Sequence, residues 1–157
     1  MGDAEESRLT QLTARFPSLA QSHFRFTSPD DGGYNCLAWA AGETQRCWHP
    51  SAFGGLFWPG GPADDTVAEW VRAFEELGYE PCESDALETG FEKVAIYAER
   101  DFPLHVARQL SNGYWTSKLG VREDVEHELP ALTGREYGRV VAVLRRAHPG
   151  SPSPSMG

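Results

Sequence analysis

Apolar residues recur at helical spacing in the first half of the chain and at strand spacing in the second. Leu9, Leu12, Phe16 and Leu19 fall three or four apart, which predicts an amphipathic helix from about Glu5 that Pro17 ends near Phe16. Phe24 and Phe26 alternate with polar neighbours, so the chain from Ser22 reads as extended. It then turns at Ser28-Pro29-Asp30-Asp31-Gly32-Gly33. A short apolar run follows, Asn35-Cys36-Leu37-Ala38-Trp39-Ala40-Ala41, and Gly42 suits a left-handed helix cap behind it. Trp48, Phe53, Phe57 and Trp58 stand among glycines and prolines between residues 43 and 63, a mixture that predicts an aromatic-lined loop.

The clearest helix comes next. Thr66 and Glu69 form a capping box, Val67, Trp70, Val71, Phe74 and Leu77 mark one face, and Gly78 closes the segment. Beyond it the period shortens to that of strands, over Lys93 to Glu99, Leu104 to Leu110 and Tyr114 to Leu119. The last two are joined by Ser111-Asn112-Gly113, where Asn-Gly signals a hairpin. Arg139 to Arg145 is a fourth strand. Helices first and an antiparallel sheet of about four strands afterwards predict a single α+β domain over residues 1–147, with a cysteine-bearing helix packed on the sheet. Residues 148–157 carry proline and serine without apolar content and are expected to be a disordered tail.

Charge narrows the function classes. The formal net charge of -9, with only 14 Lys and Arg scattered along 157 residues, argues against a nucleic-acid binder. No stretch reaches the roughly 20 apolar residues that span a bilayer, so no membrane partner is expected. The acidic start Met1-Gly2-Asp3-Ala4-Glu5-Glu6 lacks the pattern of a secretory signal, and a cytoplasmic location is expected. Three irregularly spaced cysteines suit free thiols more than a disulfide frame.

Two residues carry the strongest chemical signal. Cys36 heads the short apolar helix, where unpaired backbone N–H groups and the helix dipole favour a thiolate. His105 lies in the strand Leu104-His105-Val106-Ala107-Arg108-Gln109, where a sheet would hold a proton acceptor beside that helix. Each also has a bland reading, as a small buried hydrophobe and as a satisfied structural histidine.

An early helix with cysteine at its start, packed on an antiparallel sheet that presents histidine, resembles the papain-like superfamily of cysteine hydrolases, including the NlpC/P60-like and transglutaminase-like enzymes. The phrases Tyr34-Asn35-Cys36-Leu37-Ala38-Trp39-Ala40, His105-Val106-Ala107-Arg108-Gln109-Leu110 and Trp115-Thr116-Ser117-Lys118-Leu119-Gly120 also resemble an uncharacterised family of small bacterial proteins. The superfamily resemblance implies Cys36 as nucleophile and His105 as general base, with the Cys36 backbone N–H as one oxyanion donor. It implies a third polar residue on the strand after His105, for which Ser117 is the choice; Asp124 and His127 just beyond are alternatives. The side chain that completes the oxyanion hole falls at Asp30, which cannot donate when ionised, so Asn35 or another group is expected to substitute.

Other constellations are weaker. Cys47 and His49 with Cys36 and Cys82 lack zinc-ligand spacing, so neither a metal nor a cofactor is expected. The run Glu123-Asp124-Val125-Glu126-His127-Glu128 reads as a solvated helical turn. Trp39, Trp48 and Trp58 are candidates for a substrate-binding wall. The expected function is a small cysteine hydrolase of peptidase or amidase type, forming an acyl-enzyme on a peptide-like or amide substrate. The alternative is an inactive papain-like module that holds a protein partner through the 47–61 aromatic loop.

Overall fold

The computed structural model describes residues 10–17, 23–28, 35–42, 47–50, 57–60, 63–118, 124–134 and 136–147. Seven strands form one antiparallel sheet: β1 (Phe24–Ser28), β2 (Glu80–Cys82), β3 (Phe91–Glu99), β4 (Phe102–Gln109), β5 (Trp115–Lys118), β6 (Asp124–His127) and β7 (Arg139–Ala147). Their spatial order is β1-β6-β5-β4-β3-β7-β2. Two helices, α1 (Cys36–Ala40) and α2 (Val67–Glu76), and a 3-10 turn at Leu129–Leu132 complete the named elements.

The expectation of an α+β domain with about four strands is therefore corrected: the domain is mostly sheet, with few and short helices. Two of the three additional strands lack the usual signal. β2 has three residues with Pro81 at its centre, and Pro is tolerated there because β2 is an edge strand. β1 coincides with the extended segment that Phe24 and Phe26 mark. β6 falls in the acidic run that reads as a solvated turn, yet all four of its residues are buried. Its charges are compensated across strands: Glu126 accepts hydrogen bonds from His23 at 2.6 Å and Arg25 at 3.3 Å, and Asp124 lies 3.9 Å from Lys118. A buried charge is tolerated when paired and hydrogen-bonded.

The sheet is covered on both faces, which explains why Lys93 to Ala98 of β3 are buried without interruption. On one face Val94, Ile96 and Val106 pack with Leu37 and Ala38 of α1 and Trp70, Ala73 and Phe74 of α2. On the other, Ala95, Tyr97, Ala107, Trp115 and Val125 pack with Leu12, Phe16, Leu129, Leu132 and Tyr137. Residues 10–15 are helical, and Leu12 and Phe16 are their inward positions, as the spacing predicts; Leu9 and Leu19 lie outside the described residues.

Local signals act where they are strong. Thr66 caps α2 by accepting from the Glu69 backbone N–H at 3.2 Å, and Gly78 follows with φ +98°. The β4–β5 turn closes through Leu110 N–H to Tyr114 O at 2.7 Å, with Gly113 at φ +92°. Lys93, fully buried, donates to Ser84 O at 2.7 Å and Ala86 O at 2.8 Å, and Gln109 donates to Asp85 O at 2.9 Å. These bonds hold the 83–90 segment against β3 and β4. The tail at 148–157 and the turn at 29–34 lie outside the described residues.

Candidate functional site

Cys36 is the first residue of α1, and Asn35 is its N-cap. The Asn35 side chain makes three hydrogen bonds: Oδ1 accepts from Ala38 N–H and Trp48 N–H, both at 3.1 Å, and one hydrogen of Nδ2 is donated to Trp48 O at 2.7 Å. It fastens the loop strand at Trp48 to the helix start. α1 lies against β4 and β5, whose paired register covers only Arg108↔Thr116 and Gln109↔Trp115.

The backbone N–H groups of Val106, Leu37 and Cys36 itself favour a charged sulfur at Cys36. Burial nevertheless dominates and pushes the thiol up to about 11, with Cys47 nearby adding to the rise. A neutral thiol replaces the expected thiolate. Helix-terminal donors are outweighed by desolvation of the sulfur, since no cation among the described residues stands beside this half-buried residue.

His105 is completely buried, on the other face. It pairs with Tyr97 in the β3–β4 register, and its ring stacks on Tyr137 with centroids 4.1 Å apart. Neither ring nitrogen has a hydrogen-bond partner. Burial, assisted by the nearby His127, holds its pKa well below the ordinary histidine value. Val106, one residue further, is the β4 position that reaches Cys36. Strand alternation thus separates the two residues that the sequence pairs: no hydrogen bond joins Cys36 and His105.

Ser117 shares the His105 face but serves another histidine. Its hydroxyl lies 2.7 Å from His127 Nε2, while His127 Nδ1 lies 2.8 Å from Glu128 O. Both residues are fully buried, and burial lowers His127 to about 4. Asp124 lies instead beside Lys118, with Thr116 and Glu126 on the α1 face. Two expected roles are therefore corrected. Ser117 does not orient His105, and Asp124 does not fold back toward the histidine.

Of the three tryptophans, Trp48 and Trp58 are core residues, 5% and 2% exposed, and form no open wall. Trp58 Nε1 donates to Glu69 at 2.7 Å, and Trp48 packs on Phe57. Cys47 influences Cys36 electrostatically, so this loop does border the thiol. Trp39 alone is half-buried. Its indole donates to Thr116 Oγ1 at 3.1 Å and carries the Arg108 guanidinium at 4.8 Å above the ring. Trp39 and Arg108 line a cavity of about 400 Å³ over the α1 face. Arg108, Leu110 and Ser111 also line a second cavity of about 600 Å³ under the 87–92 segment, so the two form one groove.

Arg108 is the residue that sequence reasoning missed. Its only signal was a cation in a strand otherwise composed of core residues. No three His, Cys, Asp or Glu side chains converge as a metal site among the described residues, and no described helix is long and apolar enough to cross a membrane.

Fold and site together define a small, doubly covered antiparallel-sheet domain with a half-buried thiol on one face and a polar groove beside it. The chain belongs to the family described as Domain of unknown function (DUF7689), whose model matches residues 25–145. That span holds Cys36, His105, Arg108, Ser117 and His127. Comparisons with curated proteins and with solved structures return no match.

Proposed function

We propose that this domain is a non-catalytic binding module that takes its ligand in the groove beside Trp39 and Arg108. The separation of Cys36 from His105 carries this reading. An acyl-enzyme mechanism needs the base within hydrogen-bond reach of the thiol, and needs the thiolate. Here the thiol is neutral, and the histidine occupies the opposite face of the sheet. The groove is open where His105 is buried and Cys36 half-buried, and a half-buried tryptophan is the kind of side chain on which binding energy concentrates. With Trp48 and Trp58 in the core, the binding surface moves from the 47–61 loop to the groove.

One observation favours a second reading, the cysteine hydrolase acting on an amide or peptide-like substrate. Three backbone N–H groups favour charge on the Cys36 sulfur, as a nucleophile requires. Iodoacetamide labelling followed by mass spectrometry separates the two. For a binding module, Cys36 labels slowly at neutral pH, its rate climbs only in the alkaline range, and His105→Asn leaves the profile unchanged. Rapid neutral-pH labelling of Cys36 that His105→Asn abolishes would overturn the binding reading in favour of the hydrolase.

A further inference from the structure

We infer that the groove binds a small monocarboxylate with an apolar body, its carboxylate held by Arg108 and its body against Trp39 and Leu110. The inference rests on the binding-module reading and supplies its ligand class.

The argument starts from charge pairing along the groove. On the α1 side, Glu126 is bound by Arg25 and His23, and Asp124 stands against Lys118. On the other side, Glu88 pairs with Lys93 and Arg145, and Glu92 pairs with Arg146. Arg108 lines both halves and has no ion pair or side-chain hydrogen bond among the described residues. It is the one lining charge left uncompensated there.

Its Nε–H is moreover buried without an acceptor. A desolvated donor on a charged group is costly to leave unmade, and an incoming acceptor recovers that cost. Trp39 takes the face of the guanidinium, at 4.8 Å. The edge of a guanidinium presents parallel N–H groups whose spacing matches the two oxygens of a carboxylate.

The size and charge of the ligand follow. A single uncompensated cation in a domain of net charge -9 favours a monoanion, because further negative charge on the ligand meets the field of the whole protein. Cavities of about 400 and 600 Å³ suit a small molecule. Phe91 and Leu87 supply apolar lining at the far end, beyond Leu110.

Ligand-observed NMR with phenylacetate, its neutral analogue phenylacetamide, and inorganic phosphate tests the inference on the full chain. Saturable phenylacetate binding is expected, with phenylacetamide at least about tenfold weaker, as loss of a charged hydrogen bond implies. Phosphate should not displace phenylacetate. Arg108→Gln, with its circular dichroism unchanged, should remove the preference for acid over amide. The comparison of acid with amide uses the unmodified protein and stands even if the variant does not fold. Absence of phenylacetate binding at about 10 mM, a range that registers even millimolar affinity, overturns the inference. So does equal binding of the amide, or displacement by phosphate. Rapid Cys36 labelling with carboxylate binding intact would instead remove the non-catalytic reading and leave the groove as a substrate-carboxylate site.

Discussion

The imidazole of His105 lies flat on the phenol ring of Tyr137, with planes 1° from parallel, and the same phenol is influenced by Cys36. Burial pushes the Tyr137 hydroxyl far above its usual pKa, and Cys36 adds to that rise. Cys36 and His105, which a hydrolase would charge in alternation, are both held toward their neutral forms. Tyr137 is a core residue that fills the space over the histidine.

Acid should destabilise this fold at a pH well above carboxylate titration. His105 is held well below its ordinary pKa and His127 lies near 4, whereas both titrate near 6.5 in the unfolded chain. As pH falls through about 6.5 the unfolded state binds more protons, and stability drops by up to ~1.4 kcal/mol per pH unit for each histidine. The His127 contribution levels off near 4. Urea unfolding at pH 7 and pH 5 should differ by about 2 to 4 kcal/mol, and His105→Phe should flatten the profile. Equal stability at the two pH values would contradict the burial assigned to both rings.

Ser117→Ala should cost about 1 to 3 kcal/mol, since it leaves the buried His127 Nε2 without its partner. Thermal unfolding measures it. A neutral effect would mean that another group or a water takes the place of the hydroxyl.

Trp70→Ala should cost about 3 to 5 kcal/mol by opening a cavity between α2 and the sheet. The indole N–H also donates to Asp65 Oδ1 at 2.8 Å, just before the helix. Chemical denaturation should show a lower midpoint with an unchanged slope. A loss under about 1 kcal/mol would place the packing of α2 on another face.

Gly138 and Gly42 should respond differently to alanine. Gly138 has φ +73°, and an added Cβ would stand 2.2 Å from Ala98 O, a backbone atom of β3. Gly138→Ala should therefore cost about 3 kcal/mol or more, combining the left-handed strain with overpacking. Gly42, at φ +85°, has nothing within 4 Å of that position, so Gly42→Ala should cost only about 1 kcal/mol. Equal losses would show that backbone conformation alone governs both sites.

α2 and the β4–β5 hairpin were legible because their signals are local: a capping box beside a 3.6-residue period, and Asn112-Gly113 between alternating segments. β6 was not, because its stability lies in partners far along the chain. Asp124, Val125, Glu126 and His127 show no apolar alternation, and only Lys118, Arg25, His23 and Ser117 make their burial tolerable. β2 is too short to carry any periodicity.

By itself, then, the sequence determined that a thiol begins a short capped helix at Asn35-Cys36 and that a histidine lies on a sheet strand after it, since caps and strand periods act over a few residues. Which face that histidine takes was decided only by tertiary structure. One step of strand register puts Val106 toward Cys36 and turns His105 toward Tyr137, because successive side chains point to opposite faces. The isolation of Arg108 was hidden for the same reason. A charge is left over only after every neighbouring charge has found its partner, and those partners come from β1, β3, β5 and β7.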